Sequence, residues 1–507
     1  MTQYFKRTGC AVLALCAMSH GALADLNAQD VWEDWQAYLG STGYAVTSDQ
    51  QRSGNRLNIN NFTMQMDLPE GEGTMSITVP SFAFIENGNG TVSIDMPASF
   101  PMSIGFKGNG IDGRGVVNYM QDGLQMTVSG TPEDMLYDYR AAKVVVGLDT
   151  MSANGEAMPD GLAAFSMEMT DVASQATMRK GNARNYDQRI SSSTLSYAFS
   201  FDDPTSDDQG DFKGTLQGLS FAGNTTIPLE MDPADMLQML KNGLAFDGVF
   251  AYASGNTEMQ GVGEGESFAF SSASTGGELG LVMDASRLTY DLEQTGTTVT
   301  VQAPDIPFPI SMQMAKAGLN LTLPVTKSET EQDFALGLTL GEFQMPDLLW
   351  SLFDGAGVLP RDPASIVMDL TGKAKLFIDY MDPNMVDQLD QLQSAPGELN
   401  ALTINNLLLS MVGAELTGNG AFTFDNTDLQ TFDGVPRPTG ALNLSLVGGN
   451  GLLDKIVQMG FVSNQDAMGA RMMMGMLAVP GDGPDTLKST LEINEQGHVL
   501  ANGQRIQ

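Results

Sequence analysis

From Leu57 onward, apolar and polar residues alternate with a period of two. Leu57/Ile59, Met64/Met66/Leu68, Met75/Ile77/Val79 and Val92/Ile94/Met96 each form such a run. A strand with that pattern buries one face and wets the other, which is the habit of antiparallel sheets. Asn87-Gly88-Asn89-Gly90 separates two of the runs, and Asn-Gly steps favour the positive φ angles of a tight hairpin. Before the alternation begins, Val31, Trp32, Trp35, Tyr38 and Leu39 recur at spacings of three and four. That spacing predicts one amphipathic helix, ended by Gly40 and Gly43, whose two tryptophans pack over the end of the sheet.

A longer unit recurs further along. Ala198-Phe199-Ser200-Phe201-Asp202-Asp203 leads through an acidic turn to the alternation Ile227/Leu229/Met231 and a helix from Asp232 to Gly243. Ala421-Phe422-Thr423-Phe424-Asp425-Asn426 leads in the same way to Leu442/Leu444/Leu446 and a helix over 452–459, stopped by Gly460. Thr131-Pro132-Glu133-Asp134 and Asp382-Pro383-Asn384-Met385-Val386 also read as helix starts, with a side-chain cap followed by proline. The pairs Thr91/Thr298, Pro132/Pro346, Ala198/Ala421 and Gly243/Gly460 lie 207, 214, 223 and 217 residues apart. Collinear pairs at similar offsets imply a diverged internal duplication, with halves 25–254 and 255–507 meeting near the Gly/Ser-rich stretch 254–277. Past Asn464, Met468, Met472 and Met476 fall on one stripe of a further helix, and Leu487 to Ile493 alternates again. The predicted fold is mainly β: long curved antiparallel sheets with short Pro-initiated helices, in two diverged repeats.

Residues 1–24 read as a secretory signal peptide. Lys6 and Arg7 precede a short apolar run, and Ala22-Leu23-Ala24 is a small-x-small cleavage site, so cleavage near Ala24 and a periplasmic or secreted location are expected. No later stretch approaches the 18 or so apolar residues of a membrane span, so no transmembrane anchor is expected. Both cysteines, Cys10 and Cys16, fall inside the signal, which leaves apolar burial rather than disulfides to hold the rest. Cleavage leaves 23 Lys and Arg against 61 Asp and Glu, a formal charge of −38. Such a charge repels nucleic acid and anionic lipid surfaces and favours solubility.

The Trp-x-x-Trp helix (Trp32, Trp35) before Gly43-Tyr44, the repeated Ala-Phe-x-Phe-Asp strand and the closing Asn502-Gly503 carry a family resemblance. The chain resembles an uncharacterised secreted alphaproteobacterial family, domain of unknown function 2125. That resemblance implies coverage of nearly the whole mature chain and brings neither an activity nor site residues. In architecture alone the chain is similar to AsmA-type envelope proteins, whose long curved sheets resemble lipid-holding grooves; fold analogy does not by itself set function.

Candidate chemistry is sparse. The mature chain has one histidine, His498, beside the turn at Gln496-Gly497, and no Gly-x-Ser-x-Gly elbow accompanies it. No Walker or dinucleotide motif is present, so no cofactor is implied. Asp202, Asp203, Asp207 and Asp208, with Asp211, supply oxygens for Ca²⁺ but lack EF-hand spacing, and a solvated hairpin end is the plainer reading. The Met472-Met473-Met474 run with Met476 offers soft thioethers without an assisting His or Cys, which favours apolar lining over copper. Thirty-three methionines, many alternating with polar residues, suit a soft surface for flexible apolar ligands. Met236, Leu237, Leu240, Leu452, Ile456, Met472 and Met476 are the candidates for that surface. The sequence therefore favours a non-catalytic envelope protein that binds or scaffolds a lipid or other apolar ligand, or an envelope partner. A structural module with a filled core is the alternative, and a carboxylate-dependent hydrolase the second alternative.

Overall fold

A computed structural model describes residues 26–68, 73–108, 110–159, 161–232, 235–306, 308–385, 389 and 395–507. The expected signal peptide, with its cysteines and cleavage site, lies outside the described residues, as do Pro233 and Val386. The chain opens with α1 (Ala28–Ser41), started by a reciprocal cap in which the Asn27 side chain accepts from the Asp30 N–H and the Asp30 carboxylate accepts from the Asn27 N–H. Next come β1 (Ala45–Ser53), β2 (Arg56–Asp67) and β3 (Thr74–Glu86), each antiparallel to the one before. Two short strands, β4 (Val92–Asp95) and β5 (Ser99–Gly108), then lie end to end along β3. β6 (Ile111–Asp122) and β7 (Gln125–Thr131) continue them, and both pair with the twenty-residue β8 (Asp134–Ala153).

The sheet grows on by β9 (Glu156–Ala157), β10 (Ala163–Lys180), β11 (Ala183–Asp202) and β12 (Gln209–Pro228). After α2 (Met236–Lys241), β12 is again met by two strands end to end, β13 (Ala245–Tyr252) and β14 (Ser254–Gly263). β15 (Glu266–Ser274) and β16 (Gly276–Met283) pair with these and then both with β17 (Arg287–Gln302). β18 (Ile310–Pro324), β19 (Gln332–Phe343), α3 (Asp347–Phe353), β20 (Ala364–Leu376), β21 (Gly397–Met411), β22 (Ala414–Asp425) and β23 (Arg437–Val447) extend the meander. The chain finishes with α4 (Gly449–Gln458), α5 (Asn464–Leu477), β24 (Val479–Pro480), β25 (Thr486–Ile493), β26 (Val499–Ala501) and β27 (Gln504–Arg505).

All these strands belong to one antiparallel sheet. At about 4.8 Å per strand, it measures on the order of 90 Å across its strands. The chain exposes 29179 Å², where a compact chain of its 54.1 kDa exposes roughly 18,000 Å². Among the described residues, much of the sheet's width carries no second layer, in keeping with that excess.

A crease crosses the strands. Asn61, Asp171, Gly218 and Gly296 take positive φ of 49°, 49°, 62° and 55°, each in the middle of a strand. The gaps between β4 and β5, β6 and β7, β13 and β14, and β15 and β16 fall on the same line. These bulges shift the alternation by one residue. In β10 the apolar set changes from Met178, Ala176 and Val172 to Met169, Met167 and Phe165 on passing Asp171. Without the extra residue the lower set would turn to the opposite face.

Several expectations need correction. Thr131-Pro132 starts no helix. Its hydroxyl does accept from the Asp134 N–H at 3.3 Å, but the chain reverses there as the β7–β8 turn. Met135, Tyr137 and Tyr139 continue with period two, and pairing on both sides outweighs the local cap. Its proposed counterpart Pro346 does precede a helix, α3, so that pair does not correspond in structure. α2 starts at Met236 on an Asp235 cap, not at Asp232. α1, α4 and α5 start at Asn27, Gly448 and Ser463, so among the described helix starts a proline precedes α3 and the helical Met385 that follows Asp382-Pro383-Asn384. The strand, acidic turn, strand and helix order does occur at both expected places, as β11–β12–α2 and β22–β23–α4. The stretch 254–277, near which the halves are expected to meet, forms β14, β15 and the start of β16 inside the sheet.

Candidate functional site

Residues paired across an antiparallel sheet point to the same side, so the register identifies each face. Below the crease, Met64, Ile77 and Ile104 are successive partners, and the row Phe165, Phe199, Phe212, Met259, Phe270 and Val301 continues from β10 to β17. Beyond β17 the same face carries Leu319, Leu338, Met368 and Leu407, then Leu416, Leu446 and Leu487. The opposite face is polar and laced with exposed ion pairs such as Lys143–Glu168, Lys213–Glu258 and Lys316–Glu293. Hollows on that polar side, including one of about 460 Å³ between Lys213, Glu258 and Thr300, have charged, wet walls.

The apolar face is covered at one end. α1 lays Val31 and Trp32 onto Leu57, Ile59, Phe62, Phe82, Phe84 and Met178, a cluster shut off from solvent. The rings of Trp32, Trp35, Phe62, Phe82 and Phe84 meet mostly edge to face at 5.3–6.1 Å. Trp32 Nε1 is buried without a hydrogen-bond partner among the described residues. Beside the cluster lies a cavity of about 600 Å³ whose walls include Trp35, Tyr38, Phe62, Met64, Met126, Tyr137, Tyr186 and Ile227, with Asp34 at one side.

Asp34 is 3% exposed and meets two cations, Arg184 at 2.5 Å and Lys180 at 2.7 Å. Burial opposes the Arg184 charge, but Asp34 and the Tyr186 hydroxyl more than offset this and hold its pKa above the usual value. Burial pushes the Tyr186 hydroxyl up to about 12 and the Tyr137 hydroxyl higher still, so both remain neutral hydrogen-bond donors. The other buried carboxylates among the described residues are also engaged. Asp354 accepts from the Val358 and Leu359 N–H groups, and Asp379 from the Lys327 N–H and the Lys241 ammonium.

Below the crease, from β10 to β15, no described element covers the same face. Phe165, Phe199, Phe201, Phe212, Met259 and Phe268 are all exposed, Phe199 to 45%. The Phe201 and Phe268 rings lie over Gly210 and Gly261, where an added Cβ would come within 2.6 and 2.8 Å of them. Beyond this aromatic end, the β11–β12 turn carries Asp202, Asp203, Asp207 and Asp208. Asp203 accepts from the Thr205 N–H and hydroxyl, and Asp208 from the Glu264 N–H. Among the described residues no group of three or more His, Cys, Asp or Glu is placed to hold a metal ion, so the four aspartates are not assembled as ligands.

The apolar candidates divide. Leu237 and Leu240, on α2, are buried, and Met236, Leu452 and Ile456 are half-buried. Met472 and Met476 stand with Met468 on an outward stripe of α5, Met472 being 66% exposed. His498 sits at its turn, its N–H donating to the Asn494 side chain. The sequence reading missed Asp34, Lys180, Arg184 and the tyrosines. Asp34 lies between the two tryptophans, and Arg184 and Tyr186 are in phase with Ile190 on β11; these were the available signals. Among the described residues no helix is long and apolar enough to cross a membrane, which says nothing of strands.

Residues 234–503, just over half of the chain, match the family described as an uncharacterized protein conserved in bacteria, DUF2125. The chain belongs to that family. The match begins just before α2 and leaves out the Trp32/Trp35 helix, so it is narrower than the resemblance implied. Neither a curated protein nor a solved structure matches the chain.

Proposed function

We propose that this DUF2125 member is a non-catalytic, exported envelope protein that binds an acyl-chain lipid on the apolar face of its sheet. One observation carries the reading: that face stays apolar from β2 to β25, and below the crease aromatic side chains stand in the open on it. Exposed phenylalanines cost free energy in water, roughly 25 cal/mol for each Å² of apolar surface, and an acyl chain laid over them recovers it. Methionine and leucine along the rest of the face adapt to a chain of no fixed shape. Such a ligand needs neither a nucleophile nor a metal.

Native mass spectrometry of the purified mature chain, with solvent extraction of the same sample, tests this. Extractable lipid and a matching mass increment support it; protein that stays empty after incubation with phospholipid or fatty acid overturns it. A second reading, an interaction module that docks a partner protein, draws on the outward methionine stripe of α5 and on Leu352 of α3, which is exposed. It is favoured if Met472→Lys abolishes capture of an envelope partner while lipid loading is nil throughout.

A further inference from the structure

Three uncharged polar side chains interrupt the apolar face under α1. Ser174, Gln188 and Thr225 lie on the neighbouring strands β10, β11 and β12, half-buried, and all three line the α1 cavity. Ala176 and Gly223 are the direct partners of Gln188, which makes Ser174 and Thr225 its diagonal neighbours, roughly 7–8 Å away. Among the described residues none of the three side chains has a hydrogen-bond partner in the protein. A few convergent polar groups in an otherwise apolar pocket are what orients a bound small molecule, and the volume of about 600 Å³ lies within the roughly 300–1,000 Å³ of such sites.

The same wall offers little net charge. Asp34 is its one charged side chain, and the protein already matches it: Oδ1 meets the Arg184 guanidinium at 2.5 Å and the Lys180 ammonium at 2.7 Å, while the Tyr137 hydroxyl lies 3.5 Å from Oδ2. Neither cation lines the cavity. An anionic head would therefore face a carboxylate, and a cationic head would be opposed by the two cations behind it. Burial keeps the Tyr137 and Tyr186 hydroxyls protonated, so they add no charge. On the far side the face runs from Thr225 to its partner Phe246, which stacks on Phe221 with centroids 6.3 Å apart, and then to Met283.

We propose that this cavity seats the uncharged head of an acylglycerol-type lipid, its ester carbonyl and hydroxyls against Gln188, Ser174 and Thr225 and its tail running past Phe221 and Phe246 along the apolar face. The proposal rests on the lipid reading above and adds a headgroup and a place. A glutamine amide donates and accepts, and so do the two hydroxyls, which matches a head that carries both acceptors and donors. A sulfate or carboxylate only accepts and leaves the amide oxygen unpaired, and a trimethylammonium does neither.

Trp35 lines the cavity and Trp32 packs beside it, so their emission reports on the site once Trp350, in α3, is replaced by phenylalanine. The mature Trp350→Phe protein is titrated with 1-monopalmitoylglycerol, hexadecyl sulfate and hexadecyltrimethylammonium, each below its micelle concentration. Glyceride binding about tenfold tighter than that of either ion is the expected result, the ions being held by their tails alone. Gln188→Leu should weaken glyceride binding about tenfold and leave both ions unchanged, a loss of selectivity that a merely structural glutamine does not give. Should Gln188→Leu fail to fold, Ser174→Ala makes the same test, with a severalfold loss expected. An ion bound as tightly as the glyceride, or glyceride binding indifferent to the folded variant, overturns the headgroup site and leaves the apolar face standing. Binding of none of the three by folded protein overturns both.

Discussion

The two panels of the apolar face, above and below the crease, are built from the same strands and the same alternation, yet they end in opposite states. Above it, α1 closes over Phe82, Phe84 and Met178, and tryptophan fills the gap. Below it, Phe165, Phe199 and Phe212 form an equivalent row, and among the described residues nothing lies over them. The difference lies in the covering element, not in the strands. Period-two patterning specifies which side of a sheet is apolar, but it is silent on whether that side meets a helix, a ligand or water.

The contrast is broken most strongly by Trp32→Ala. This change empties the covered panel at its centre and should cost about 3–5 kcal/mol, read as a lower midpoint in chemical denaturation. An effect below about 1 kcal/mol would mean that α1 is not the cover described. At the crease, Gly218→Ala places a Cβ 3.0 Å from the Ala253 methyl on a backbone with φ of 62°. The expected loss is about 1–2 kcal/mol. The same substitution at Gly263, with open space around it and no positive φ, should be nearly silent. On the open panel, Phe199→Ser should cost about 1 kcal/mol, well short of Trp32→Ala, because it loses its cross-strand contacts with Phe165 and Phe212 but no covering helix, while reducing acyl-probe binding.

The smallest effect concerns the far half. Asp425 is pulled down to about 2 by the Thr427 hydroxyl, the Arg437 guanidinium and the Thr427 N–H. A carboxylate depressed in the folded state adds stability above its unfolded value of 3.8 and loses it as pH falls through about 2. Protection of the amides over 425–437, taken relative to intrinsic exchange at each pH, should therefore fall between pH 4 and pH 2, while the α1 panel is unaffected by this group. Asp425→Asn should remove that step.

The strand-rich fold, the α1 face and the hairpin at Asn87 to Gly90 were readable because local pattern and tertiary pairing agree there. The turn at Thr131-Pro132 was misread because a cap-and-proline signature fits a β-turn as well as a helix, and only the partners of β8 decide between them. The phase slip at Asp171 was visible in principle, since the methionines change from even to odd positions there. The Asp34–Arg184 pair was not, because it spans 150 residues and depends on where α1 lands.

Under the proposed function, one face of this sheet, and not the other, holds apolar chains. Incubating the mature protein with a diazirine-bearing fatty acid, irradiating it and mapping the modified peptides residue by residue tests that directly. Labels on Met64, Met126, Phe199 and Met259, with none on their polar neighbours Gln65, Thr127, Ser200 and Glu258, are the expected result. Labels divided evenly between the two faces, or confined to Met468, Met472 and Met476 of α5, would contradict it.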